Sequence, residues 1–128
     1  MSTQPDEKDG WARQEGAACV VDLAYPTRGA DANELQGRHL GAGVSLIVVD
    51  AAPGGGPKLH RHPYEEVFVV REGTATFTAG DETIEVSGGR VVLVPAGVAH
   101  EFVKSGTGRL RQVDVHASGR FVTEWLEA

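Results

Sequence analysis

The chain has 128 residues, which is enough for one compact domain with a real core and too few for two domains of ordinary size. Its formal net charge of -6 and the lack of a concentrated basic face argue against nucleic acid and anionic membrane as partners. No apolar run approaches the roughly 20 residues of a membrane span, and the N-terminus is polar and acidic. We therefore expect a soluble, cytoplasmic protein.

The 17 glycines favour short strands joined by tight turns over long helices. Residues 1–15 carry charge, proline and glycine without a period, which predicts a flexible N-terminal tail ahead of one domain over residues 16–128. In that domain, apolar and β-branched runs such as GVSLIVVDA, EEVFVVRE and RVVLVPA alternate with turn residues. Runs of this length indicate an all-β sandwich or barrel.

The last residues break the strand pattern. Phe121, Val122, Trp125 and Leu126 recur at helical spacing in RFVTEWLEA. This spacing predicts a short C-terminal helix that caps the barrel.

Two histidines stand one residue apart in KLHRHPYEEVFVVREG. On a strand, His60 and His62 emerge on the same side about 7 Å apart, and two such imidazoles can share a metal. Glu66 has the same parity, but a straight strand would put it about 13 Å from His62. A bend at Pro63 would bring Glu66 back, and Glu65 is the alternative carboxylate because a bend can reset the parity.

A third histidine follows a turn in GRVVLVPAGVAHEF. Pro95 and Gly97 form the turn, and His100 begins the next strand. If the two hairpins lie opposite each other, His100 reaches the same interior point. Three imidazoles and one carboxylate leave an octahedral ion two free positions, which indicates chemistry more than scaffolding. Taken singly, each histidine is also explained as a solvated surface residue.

Together these residues resemble the two conserved motifs of the cupin superfamily. The first motif, G-x5-H-x-H-x3-E-x6-G, is matched by Gly54, His60, His62, Glu66 and Gly73. The second, G-x5-P-x-G-x2-H-x3-N, is matched by Gly89, Pro95, Gly97 and His100. Lys104 stands where the second motif ends in asparagine. That asparagine is not a metal ligand in the family, so the departure concerns the packing of the loop.

The resemblance implies a single-domain jelly-roll β-barrel, with His60, His62, Glu66 and His100 as the ligands of one divalent transition metal. Cupins carry iron, manganese, nickel, copper, cobalt or zinc in this setting. The ligand set does not choose among these metals, because affinity follows the Irving–Williams order and occupancy follows supply. Iron is the expectation that fits the function favoured below.

The parity of the ligands predicts which residues line a pocket for a small organic substrate. The predicted wall consists of Phe68, Val70 and Phe102, with Leu46 and Val48 opposite and Tyr64 at the rim. A further row, Gln112, Asp114 and His116, is interpreted as the polar outer face of a half-buried strand, with a pocket-lining row as the alternative. Tyr64 and His116 are the candidates for a general acid or base.

Three functions fit these residues. The favoured one is a non-haem iron dioxygenase or other oxygenase, because the apolar wall offers few proton-transfer groups. The alternatives are a lyase or isomerase that uses the metal as a Lewis acid, and a binding or sensing module without catalysis.

The strands that carry the ligands have a second apolar face. Val67 and Val69 point away from the ligands, as do Val91 and Leu93 if their neighbours point inward. A second subunit could cover that face, so we expect a homodimer. The alternative is a sandwich that buries both faces within one chain.

Overall fold

The computed structural model describes residues 11–13, 18–26 and 30–127, without side chains for 11–13. Its strands, in chain order, are β1 (Trp11–Arg13), β2 (Cys19–Val21), β3 (Ala32–Leu35), β4 (Ser45–Ala51), β5 (His60–Arg61), β6 (Glu66–Glu72), β7 (Thr74–Ala79), β8 (Glu82–Ser87), β9 (Arg90–Val94), β10 (His100–Val103), β11 (Leu110–His116) and β12 (Glu124–Trp125). A short 3₁₀ helix spans Gly37–Leu40. The predicted tail over residues 1–15 lies outside the described residues except for β1.

Two five-stranded antiparallel sheets form the body of the molecule, and β1 pairs antiparallel with β2 in a two-stranded sheet. The first sheet has the order β3-β4-β11-β6-β9, and the second has the order β12-β5-β10-β7-β8. Side chains from both sheets meet in one apolar cluster, so the sheets pack face to face. The predicted all-β class is confirmed.

The apolar cluster fills one end of the space between the sheets. It contains Phe68, Val70, Ala75, Phe77, Val86, Val94, Phe102 and Leu110. The rings of Phe68 and Phe77 lie 4.9 Å apart between centroids, and those of Phe77 and Phe102 lie 5.3 Å apart. Such tilted aromatic contacts add to the hydrophobic gain from burial. We call this cluster the closed end of the barrel.

The prediction of a C-terminal helix is wrong. Residues 121–127 run extended, and β12 pairs antiparallel with β5, where Trp125 stands opposite His60. The backbone N–H of Leu126 also donates to the carbonyl of Leu59 at 2.9 Å. A helix of one or two turns is marginal on its own, whereas the edge of β5 offers backbone partners, so the extended form is favoured.

The outer face of the first sheet exposes apolar side chains on its edge strand β9. Val91 and Leu93 are 61% and 58% exposed, whereas Val94 is 1% exposed and points into the core. The predicted parity of β9 therefore agrees with the structure.

Among the described residues, no helix has the length and hydrophobicity that a membrane span requires.

Candidate metal centre

Four potential metal ligands meet at the end of the barrel opposite the closed end. β5 and β10 are antiparallel neighbours with His60 directly opposite His100, and the N–H of Gly97 donates to the carbonyl of His62 at 2.8 Å. The chain bends at residues 63–64, and Glu66 then opens β6. One ligand atom from each of His60, His62, Glu66 and His100 lies within 4.8 Å of the others. All four side chains are buried, whereas Glu65 is exposed.

The three histidines share one feature that prepares them to bind a metal. In each, ring nitrogen Nδ1 lies at hydrogen-bond distance from a backbone carbonyl oxygen. The pairs are His60 with Lys58 at 2.7 Å, His62 with Val122 at 2.8 Å and His100 with Val98 at 2.9 Å. Because a carbonyl only accepts, Nδ1 carries the proton in each ring, and Nε2 presents its lone pair to the site.

The carboxylate of Glu66 faces these lone pairs. Its Oε1 lies 3.0 Å from Nε2 of His62 and 3.2 Å from Nε2 of His100. Among the described residues, Nε2 of His62 has no hydrogen-bond partner. Lone pairs and a carboxylate repel each other at these distances unless a proton or a metal ion lies between them. A divalent ion bound by imidazole nitrogen and carboxylate oxygen fits this donor set.

The ionisation of Glu66 agrees with that fit. Burial by itself would raise the pKa of Glu66. Without an ion, hydrogen bonds in which His100, His116 and His62 supply the proton outweigh burial and hold the pKa of Glu66 well below its usual range. The side chain is therefore a carboxylate, as a metal ligand must be.

His116 approaches the same carboxylate from the other side. Its Nε2 lies 3.1 Å from Oε2 of Glu66, and its Nδ1 lies 2.6 Å from the hydroxyl of Tyr64. That hydroxyl accepts the N–H of Val122 at 3.3 Å and can donate its own proton to Nδ1. The N–H of His116 would then face Glu66. His116 and Tyr64 therefore lie behind a ligand, which distinguishes them from the three histidines whose Nδ1 faces a carbonyl.

A cavity of about 500 Å³ opens beside the four ligands. Its lining is Asp31, Ala32, Glu34, Ile47, Val49, Ala51, Gly56, Pro57, His60, His62, Glu66, Phe68, Phe102, Lys104, Asp114, His116, Phe121, Thr123 and Trp125. Phe68 and Phe102 were predicted for this wall. Tyr64, predicted at the rim, is not part of the lining.

Three other predicted wall residues lie elsewhere. Leu46 and Val48 stand opposite Val115 and Val113 on the outer face, whereas Ile47 and Val49 face the cavity. The prediction was wrong because β4 is apolar on both faces, so its sequence does not reveal which parity points inward. Val70 points inward but is 0% exposed in the closed end, one step of the pleat beyond Phe68.

The polar row on β11 points inward, so its interpretation as an outer face is wrong. Gln112, Asp114 and His116 are 0%, 5% and 3% exposed, and Asp114 and His116 line the cavity. Nε2 of Gln112 donates to Oδ1 of Asp114 at 2.7 Å. Burial raises the pKa of Asp114 well above its usual range. The polar residues of β11 alternate with Val113 and Val115 as expected, but here the valines lie on the outer face and the polar residues on the inner face.

Several lining residues had no signal in the sequence. Asp31 immediately precedes β3 and Glu34 lies on it, and this strand is too short and too polar to be recognised in the sequence. Thr123 and Trp125 reach the cavity only because the C-terminal segment is extended. Lys104 was noted solely as a departure from the second motif.

A family model described as the cupin domain matches residues 47–116, a range that contains all four potential ligands. The uncharacterized protein SCO3923 of Streptomyces coelicolor is 43% identical over 65 residues, which is 51% of this chain and 60% of that protein. The chain thus spans less than two thirds of the length of this relative.

Solved structures share the fold. A recombinant oxalate oxidase in complex with glycolate superposes with a TM-score of 0.72 at 18% identity, over 98% of this chain and 78% of that one. The formate complex of the Lactobacillus farciminis oxalate decarboxylase gives 0.68 at 20% identity, over 79% of this chain and 32% of that one.

One further structure bears on the metal. The oxalate decarboxylase of Bacillus subtilis, studied for its Mn(II) centres, gives a TM-score of 0.66 at 25% identity, over 74% of this chain and 28% of that one. The jelly-roll architecture is confirmed, and the cluster of three histidines and a glutamate supports a divalent metal. Because the cupin model covers more than half of its length, the chain belongs to the cupin family.

Proposed function

We propose that this cupin is a metal-dependent enzyme that acts on a small organic molecule, and that its reaction is an oxygenase-type oxidation with iron as the metal. The observation that carries the proposal is the position of the four ligand atoms, buried beside a cavity of about 500 Å³. Pockets of this size bury most of the surface of a small substrate. Four protein donors also leave part of an octahedral coordination shell open to substrate.

Each group of residues has a separate task in this proposal. His60, His62, Glu66 and His100 would hold the metal, and bound Fe(II) would supply the capacity to react with dioxygen. Phe68 and Phe102 exclude water from one side of the substrate. His116, hydrogen-bonded to Tyr64, orients the carboxylate of Glu66 through its second oxygen.

A second candidate function is a lyase or isomerase that needs no oxidant. The sequence favoured the oxygenase because the apolar wall was expected to offer few proton-transfer groups, but the structure places more than one beside the cavity. Asp114 and His116 both line the cavity and are both buried. Groups in this position can move a proton to or from a substrate whose oxygen is polarised by the metal.

Two measurements separate these candidates. Elemental analysis of protein purified without added metal identifies the bound ion. The Fe(II) protein in air and the Zn(II) protein without oxygen are then incubated with catechol, glycolate and 2-aminoethanol, while dioxygen uptake and products are followed. Uptake that is absent from His62→Ala supports the oxygenase, and product from the Zn(II) protein supports the lyase or isomerase. Compounds that bind and are recovered unchanged indicate a binding module.

We also propose that the protein is a homodimer that pairs through β9. Val91 and Leu93 are exposed on an edge strand. In a dimer with a two-fold axis, each subunit would cover these two side chains of its partner. Sedimentation velocity of a Val91→Lys, Leu93→Lys variant should show monomer where the parent chain shows dimer. Ile84→Lys, which alters an apolar residue 41% exposed on the other sheet, is the control and should remain dimeric.

A further inference from the structure

The charges that line the cavity are mostly negative. Among the described residues, four carboxyl groups and one ammonium group lie there and no arginine does; the charged residues are Asp31, Glu34, Glu66, Asp114 and Lys104. Glu66 belongs to the metal site. The other three carboxyl groups remain available to a bound molecule.

Of these three carboxyl groups, that of Asp114 lies deepest. It is 5% exposed, and its one hydrogen bond within the described part of the chain is the bond from Gln112 to Oδ1. Its second oxygen, Oδ2, is therefore left for another donor. On β11 Asp114 stands two residues from His116, which pairs with Glu66, so it lies about 7 Å along the strand from the metal site.

The solvent side of the cavity carries further groups that attract a cation, namely two carboxylates and two aromatic rings. Asp31 and Glu34 are exposed there, and neither carboxylate forms an ion pair with a described residue. Trp125, 61% exposed, packs its ring 5.0 Å from that of His60, and Phe121 also lines the cavity. Aromatic faces and carboxylates both attract a cation, and cations meet the aromatic faces before they reach the interior.

We propose that the substrate is a small primary amine that also carries an oxygen for the metal, with its ammonium group held by Oδ2 of Asp114. This inference rests on the proposed function, because it uses the same metal site. A buried carboxyl group with a free oxygen is a strong partner for an ammonium group, since the adjacent cation favours the carboxylate form and the resulting hydrogen bond is charge-assisted. A dicarboxylate could bind the metal through one end, but its other end would face three carboxyl groups, with Lys104 as the one described cationic side chain of the lining to oppose them.

The test compares two probes of equal size, 2-aminoethanol and ethylene glycol, on the Zn(II)-loaded protein at pH 7. Binding is measured by ligand-observed NMR, so no turnover is needed. We expect 2-aminoethanol to bind at least about tenfold more tightly, which is the scale of one charge-assisted hydrogen bond. Asp114→Asn should remove that advantage and leave the affinity for ethylene glycol within about threefold, because the amide keeps the shape and cannot become the carboxylate that pairs with an ammonium group.

Two further variants guard the result. Glu85→Gln removes the same charge from exposed β8 and should change neither affinity. If Asp114→Asn does not fold or does not hold zinc, the double variant Asp31→Asn, Glu34→Gln on the solvent side should still weaken 2-aminoethanol about two- to fivefold.

The outcomes separate this inference from the proposed function. Equal affinity of the parent protein for the two probes, or an Asp114→Asn variant that keeps the preference for the amine, would overturn the amine proposal alone. A parent protein that does not bind zinc or iron at all would overturn the metal-dependent function itself.

Discussion

The two ends of the barrel interior are built from the same strands but hold opposite kinds of side chain. On β6, Glu66 belongs to the metal site and Val70 to the closed end; on β10 the corresponding pair is His100 and Phe102. Burial of polar side chains costs free energy unless they find partners, whereas burial of the apolar cluster is favourable. The closed end therefore supplies stability, and the metal end retains unfavourable burial because its chemistry requires it.

The largest expected effect comes from opening the closed end. Phe77→Ala should lower the free energy of unfolding by about 3 to 5 kcal/mol, because it leaves a cavity among packed aromatic rings. Urea denaturation measures the loss. Val44→Ala, at a position 50% exposed, should change stability by less than about 0.5 kcal/mol. A folded Phe77→Ala chain that fails to bind metal would contradict the separation of the two ends.

The next effect concerns metal affinity. Glu66→Gln should weaken zinc binding by about 100-fold, because an amide cannot supply the negative charge that balances the ion. Competition with a chromophoric chelator measures the change. Glu65→Gln removes a neighbouring exposed carboxylate and should leave affinity unchanged. Equal loss in both variants would show that Glu66 does not act as a ligand.

A smaller effect of opposite sign is expected at Asp114. Burial raises the pKa of Asp114 in the folded state. At a pH between the pKa of the unfolded state and that of the folded state, the folded protein therefore holds a proton that the unfolded chain has released. Stability is therefore lost as pH rises from the unfolded value toward the folded one. Asp114→Asn should remove this dependence and raise the free energy of unfolding near pH 7 by about 1 to 3 kcal/mol. Parallel pH profiles of the two proteins, from urea melts, would rule this out.

The smallest effect is expected at the Arg61–Glu124 ion pair. Nε of Arg61 lies 2.9 Å from Oε2 of Glu124, and their side chains are 45% and 60% exposed. Exposed pairs contribute little to stability, because water and salt screen the charges and holding two long side chains together costs entropy. Glu124→Gln should therefore lower the melting temperature slightly and leave zinc affinity within about twofold. A large loss of zinc affinity would show that this ion pair is what mainly holds β12 in place, and with it the Val122 carbonyl beside His62.

The metal ligands could be predicted from the sequence partly because fixed spacings on strands determine which side chains share a face, and partly because the residues resemble the two cupin motifs. His60 and His62 differ by one step of the pleat, and the turn at Pro95 and Gly97 fixes where His100 begins its strand. The shared face of His60 and His62 depends on local geometry alone, whereas the convergence of Glu66 and His100 with them was implied by the resemblance.

The rest of the site depends on contacts between distant segments. The sequence of β4 is apolar on both faces, so only its pairing with β11 shows that Ile47 and Val49 face the cavity. Phe121 and Trp125 are as compatible with a helix as with a strand until β5 is seen to offer an edge. Asp114 looked like a surface residue because polar side chains usually mark the solvent face.

One carbonyl contact has a practical consequence. The hydrogen-bond acceptor for Nδ1 of His62 is Val122, in a segment that follows the last long strand. Proteolytic trimming before Val122, or a purification tag that displaces this segment, would allow the His62 ring to rotate. Recombinant preparations altered there would then release their ion to a chelator faster, even with every ligand residue intact.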